Sequence, residues 1–427
     1  MGQWVDWRRA RDRALSVAYR KGAGLSHNWL EKLALSAHRI RVALAASLAL
    51  LAAACSGIPG GDYFGFGSPP PPPPAQPAQV GAGRVKVALI LPLSAPGNAA
   101  ATAQSMRNAA EMALAEFNNP DIQLLVKDDG GSGGGAQQAT EQALAEGAEI
   151  ILGPLFAQSV SAAGQVARAR GVPVIAFSTD AGVAAPGVYL LSFLPESEVD
   201  RAIGYAIAQG KRSFAALIPD NAYGSVVQAA FQQAVARGGG RVVAMERYPL
   251  DRAQMQGPVS RVAQAARQAD AVFIPDGAEA VSVVVQSLGA GGVNMRRLQL
   301  IGTGLWDADP RISAEPGAQG GWFASPDPSG FRAFAGRYRT RYGQDPMRPA
   351  TLTYDAVSLV AALVKTQGPA RFAPETLTNQ SGFAGIDGVF RFRQDGTNQR
   401  ALAVLRVTAS GATVISPAPK AFSASGT

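Results

Sequence analysis

Cys55, the only cysteine in the chain, ends the run Leu50-Leu51-Ala52-Ala53-Ala54, and His38, Arg39 and Arg41 stand before that run. A basic patch, an uncharged stretch from Val42 to Ala54 and small residues leading into a thiol form the layout of a bacterial secretory signal, after which the thiol is acylated. The stretch of 13 residues (42–54) is too short for a membrane span, which needs about 20. The competing reading is a small buried cysteine on an Ala-rich helix. Charge, run length and the small-residue approach favour acylation, although Ala52 stands where such signals more often carry Leu. Both histidines, His27 and His38, precede Cys55. A chain cleaved there has no histidine and no free thiol, which excludes Ser-His-Asp triads, cysteine nucleophiles, nearly all zinc sites and disulfides. No Gly-x-Ser-x-Gly elbow and no pair of catalytic carboxylates is visible. The expectation is a non-catalytic protein without metal or cofactor.

The remaining chemistry lies in short polar and aromatic groups that follow apolar runs. Ser94, Ser159 and the turn Ser178-Thr179-Asp180 follow the first set of runs, and Tyr223, Asp276 and Trp306 follow the second. In open parallel sheets ligands bind outside the carboxyl ends of the strands, where helix N-termini attract anions. Each of these residues is individually more often a helix cap. Ser159, Thr179 and Tyr223 are expected to converge on one cleft, which raises the set above its members. The stretch from Asp128 to Gly135 invites a calcium or phosphate reading. It lacks both the Lys-Ser/Thr of a phosphate loop and the ligand spacing of an EF-hand, so it reads as a βα loop. Arg332, Arg337, Arg339 and Arg341 read as a solvated helix face.

The elements that hold these groups repeat an apolar run, a small-residue turn and an Ala-rich amphipathic helix. Strands are expected to begin near Val85, Ile122, Ala148 and Val172, and a second set near Ser213, Arg241, Asp270 and Arg297. Met106, Ala109, Ala110, Ala113, Leu114 and Phe117 lie at helical spacing. Continuous Val/Ile/Leu strands alternating with helices imply α/β architecture with parallel sheets covered on both faces. Two such sets imply two Rossmann-like lobes joined by three interlobe crossovers. The expected boundaries are 1–54 for a signal sequence with a basic N-terminal extension and 55–83 for a lipidated, Pro/Gly-rich tether. Lobe 1 is expected over 84–196 with about 324–392, and lobe 2 over 197–323 with about 393–420. Six prolines from Pro69 to Pro74 make the tether stiff and extended. Nine of the 39 Lys/Arg and three of the 31 Asp/Glu precede Cys55. The cleaved chain is therefore near +2 instead of +8, and the basic pI gives no support for nucleic-acid binding.

Several stretches carry a family resemblance. Val85-Lys86-Val87-Ala88-Leu89-Ile90-Leu91-Pro92-Leu93-Ser94, Gly153-Pro154-Leu155, Gly171-Val172-Pro173-Val174-Ile175, Tyr223-Gly224 and the stretch from Phe331 through Tyr338, Tyr342-Gly343 and Tyr354-Asp355-Ala356 resemble type I periplasmic binding proteins of the leucine/isoleucine/valine class. The resemblance covers roughly residues 84 to 420. The opening strand behind a lipobox looks most like the branch of penicillin-binding protein activators, outer-membrane lipoproteins that stimulate a peptidoglycan synthase. This chain has no room for the helical repeat domain that precedes the fold in the enterobacterial activator. The resemblance implies an envelope lipoprotein that regulates peptidoglycan synthesis; the alternative is the substrate-binding lipoprotein of an ABC importer for branched-chain amino acids or similar small amino-acid-like ligands, partnered by a permease. In the amino-acid binders, turns matching Ser159 and Thr179 hold the ligand's carboxylate and amino group. Ser56 after the anchor is not the acidic residue that retains many lipoproteins at the inner membrane, which resembles an outer-membrane address facing the periplasm.

Overall fold

The computed structural model describes residues 78–117, 120–249 and 251–422. Cys55, the signal sequence and most of the expected tether lie outside the described residues. The first sheet contains β1 (Gln79–Val80), β2 (Val85–Leu91), β3 (Ile122–Asp128), β4 (Ile150–Leu152), β5 (Val174–Ala176) and β6 (Val188–Leu190), ordered β1-β3-β2-β4-β5-β6. Its helices are α1 (Asn98–Glu116), α2 (Gly133–Ala145) and α3 (Ala157–Ala169). The strands run parallel except β1, which pairs antiparallel with β3. The folded region thus begins inside the stretch expected to be tether.

The second sheet contains β7 (Ser213–Pro219), β8 (Arg241–Tyr248), β9 (Ala271–Phe273), β10 (Gln299–Ile301) and β11 (Trp322–Ser325). Between and around them lie α4 (Pro195–Ala208), α5 (Ala222–Arg237), α6 (Arg252–Ala266) and α7 (Ala278–Ala290). The chain then returns with α8 (Pro328–Tyr342) and α9 (Ala350–Thr366) to pack on α1, and forms a small sheet from β12 (Phe383–Gly385), β13 (Gly388–Phe392) and β14 (Asn398–Arg400). Finally β15 (Ala403–Thr408) and β16 (Gly411–Ser416) complete the second sheet, ordered β16-β15-β11-β10-β9-β7-β8. β15 is antiparallel to both β11 and β16, so both large sheets are mixed where wholly parallel ones were expected. The third passage between lobes falls at 401–402, after a hairpin whose Phe390 and Phe392 pack into the first lobe's core.

Side-chain alternation explains why both sheets are covered on two faces. Val85, Val87, Leu89 and Leu91 of β2 join the core under α1 and α9, whereas Ala88 and Ile90 join the core under α2 and α3. Likewise Ala215 and Leu217 of β7 face α6 and α7, and Phe214, Ala216 and Ile218 face α4 and α5. A strand whose two faces are both buried loses the polar half of its period and reads as a continuous apolar run. That burial puts the carboxyl ends of the parallel strands, and the crossovers beside them, at the space between the lobes.

Candidate functional site

A cavity of about 680 Å³ is lined by residues of both lobes and of the crossovers. Thr179, in the turn after β5, faces it from lobe 1. Tyr223, in the first turn of α5, faces it from lobe 2. Its phenol pairs with the Thr303 hydroxyl at 2.8 Å, and burial pushes the Tyr223 pKa up. Thr303 itself is fully buried after β10, so the tyrosine is fixed by a group that cannot move to water.

Glu198 lies in the first turn of α4, where Pro195 starts the helix and fixes φ without wasting an amide. A carboxylate there is favoured by the helix dipole. Burial outweighs that and pushes Glu198 up to about 8, although its Oε2 accepts the Gly304 amide at 2.8 Å. Asp307 accepts the Ser325 hydroxyl at 3.0 Å, and burial raises its pKa as well. Two carboxyls on one cavity wall are thereby biased toward their neutral forms.

Arg348 stands opposite in the electrostatic sense. Its Nη1 and Nη2 donate to the two oxygens of Asp387 at 3.0 and 2.8 Å, and Nη1 donates to Thr351 Oγ1 at 3.1 Å. The Asp387 side chain is 0% exposed, against 33% for Arg348. The guanidinium packs against two rings, its carbon 4.5 Å from the centre of Phe193 and 4.7 Å from that of Phe331. Phe193 also meets Arg400 at 4.9 Å, and Phe390 meets it at 5.3 Å. None of the three Arg400 side-chain nitrogens has a hydrogen-bond acceptor, and burial lowers its pKa. The charges of Asp387 and Asp355 compensate it in part; burial holds Asp355 up to about 7. Asn398, on the same strand as Arg400, donates to the carbonyls of Leu190 and Ser192 at 2.8 and 2.9 Å and so ties the third crossover to the first.

Of the residues singled out from sequence, Thr179 and Tyr223 line this cavity and the others are not among its lining residues. Ser94 is exposed, and its amide donates to Asp128 Oδ1 at 3.2 Å. Ser159 is fully buried and donates to the Ser132 carbonyl. Ser178 Oγ accepts the Asp180 amide, and Asp180 Oδ1 accepts the Gly182 amide, so both shape the turn beside Thr179. The Asp276 carboxylate accepts the Tyr248 phenol at 2.5 Å, and its carbonyl accepts the Trp306 indole at 3.0 Å. Trp306 is 3% exposed and packs in the core near Phe323. In the loop from Asp128 to Gly135, Ser132 caps α2. Glu198, Asp307, Phe193, Phe331 and Arg348 were not anticipated. The signals available were Pro195 with two acids in the following turn, and the two prolines, Pro346 and Pro349, that flank Met347 and Arg348.

Two α/β lobes joined by three crossovers, with a largely apolar cavity carrying a few polar groups between their strand ends, define a type I periplasmic binding protein. Residues 84–412 match the model of the periplasmic binding protein family, and the chain belongs to that family. Among solved structures, the chain is similar to a candidate branched-chain amino acid ABC transporter from Rhodospirillum rubrum, at 22% identity and TM-score 0.69. That likeness covers 78% of this chain and 99% of the other. It is also similar to a leucine-binding protein from Thermotoga maritima (18% identity, TM-score 0.56, 77% and 97% covered). A third is an ABC transporter substrate-binding protein from Desulfitobacterium hafniense in complex with Leu (18%, 0.58, 78% and 99%). No curated protein matches the chain.

Proposed function

We propose that this protein is a lipid-anchored solute-binding protein whose lobes close on a small amino-acid-like ligand and pass it to an ABC permease. It acts by binding and not by catalysis. The observation that carries this reading is the cavity of about 680 Å³, a volume in the range of small-molecule sites. Its walls combine aromatic and proline surface with a few fixed polar groups from both lobes, the composition such sites use for affinity and orientation respectively. Acylation of Cys55 and a tether up to the folded region would hold the lobes in the periplasm near a membrane; delivery to a permease requires the inner one, and the outer-membrane address read at Ser56 goes with the second reading below. Thermal-shift screening of the full chain against amino acids, short peptides and aromatic acids tests the reading. A ligand specific for the folded state raises the melting temperature by mass action, and a flat response across the panel refutes it. Cys55→Ser should abolish partition of the protein into detergent and leave ligand binding intact. A second reading, control of a peptidoglycan synthase, rests on the opening strand behind the lipobox and on the length of the tether. Pull-down from solubilised envelope that recovers a synthase and no permease would favour it.

A further inference from the structure

Arg348 carries the most specific recognition chemistry in the cavity. A guanidinium has five N–H donors arranged as an end-on fork and a side fork, plus one outer hydrogen. Asp387 takes the end-on fork, one hydrogen from each terminal nitrogen, and Thr351 takes the remaining hydrogen of Nη1. The two donors left are Nε–H and the outer hydrogen of Nη2, which together form the side fork. That pair has the spacing that accepts both oxygens of one carboxylate. The plane of the fork is set from two directions. Asp387, fully buried, holds its inner end, and the rings of Phe193 and Phe331 pack against it, their centres 4.5 and 4.7 Å from its central carbon. Arg348, Phe193 and Phe331 all line the cavity. A charged donor fixed in orientation before the ligand arrives loses little entropy on binding.

We propose that the unused side fork of Arg348 is the clamp that holds the ligand's carboxylate. The inference rests on the solute-binding reading above and assigns the residue that holds the acid group. Glu198 and Asp307 line the same cavity, and an ammonium group on the same ligand would draw these buried carboxyls back toward their ionised forms.

Calorimetry on the full chain with matched pairs tests it: L-leucine and L-leucinamide, L-phenylalanine and its amide, benzoate and benzamide. The expected result is an acid that binds at least about 30-fold more tightly than its amide, the loss that accompanies removal of one partner from a buried charged pair. Arg348→Gln combined with Asp387→Asn removes the clamp without stranding the buried carboxylate, and it should erase the acid–amide difference. Arg348→Lys keeps the charge without the fork, and it should leave a difference of about tenfold or less. Amides that bind the unaltered chain as tightly as acids overturn the clamp alone, whether or not a variant folds. So does an acid preference that survives in the double variant. A panel in which neither acids nor amides bind overturns the solute-binding reading and the clamp with it.

Discussion

Glu198→Gln should stabilise the protein at pH 8 and leave it nearly unchanged at pH 5. Burial, with smaller contributions from Asp307 and Glu196, pushes the Glu198 carboxyl up to about 8 from an ordinary 4.5, against the Gly304 amide and Arg348, which pull it down. As pH rises through the ordinary value, the unfolded chain releases this proton and the folded chain keeps it. Stability from this group is therefore complete below about pH 4.5 and is lost progressively as pH approaches 8. At about 1.4 kcal/mol per pH unit the full interval from 4.5 to about 8 amounts to on the order of 5 kcal/mol. The cavity beside Glu198 admits water, which raises the effective dielectric, so about 2–3 kcal/mol is the expected loss. Glutamine keeps an acceptor for the Gly304 amide and has no proton to lose. Denaturant midpoints of both proteins at pH 5, 6.5 and 8 provide the assay. Asp355 also titrates near 7, but it is common to both chains and cancels in the difference. Parallel curves for the two proteins, or a wild type that is the more stable at pH 8, would refute the reasoning.

Three further outcomes are expected. Phe231→Ala should cost about 3–5 kcal/mol in unfolding experiments, because Phe231 is fully buried and stacks on Phe273 at 5.0 Å with Phe214 edge-on at 6.3 Å. Gly304→Ala would bring a methyl to 2.6 Å from Glu198 Oε1; displacing that carboxyl should cost about 1–2 kcal/mol and shift its titration, read by the same pH series. Asn398→Ala strips two buried carbonyls, Leu190 and Ser192, of their donor. It should cost about 2–4 kcal/mol and speed amide exchange across 191–194.

The main strands were legible because burial on both faces writes itself as an apolar run, and all eight expected starts fall within two residues of a real strand. The strands not anticipated have other reasons to exist. β6 is three residues long and β14 is Asn-Gln-Arg. Tertiary partners order them: β6 through β5 and the Gly396 carbonyl, which accepts the Leu190 amide, and β14 through β13 and the Asn398 side chain. The same division runs through the cavity. Thr179 and Tyr223 sit at strand ends, where the rule for open α/β sheets looks. Glu198, Phe193 and Arg348 sit on or beside crossovers, whose place in space is set only after both lobes have formed. Their chemistry was plain in the sequence, but their proximity was not. Arg348 and Asp387 are 39 residues apart, and no local period links them.

The three crossovers also fix the order in which the protein becomes foldable as it emerges from its N-terminus. The first sheet is fully synthesised by Leu190, yet the face of β2 and α1 that Leu352, Val357 and Val360 of α9 cover remains bare until the second sheet is mostly made. The second sheet in turn waits for β15, which closes it against β11. A chain arrested anywhere between Ser325 and Ala403 therefore presents two incomplete cores at once, one missing a helix or hairpin and the other a strand. Neither lobe is a finished unit that could shelter the other, so both cores close only once the last hairpin is made.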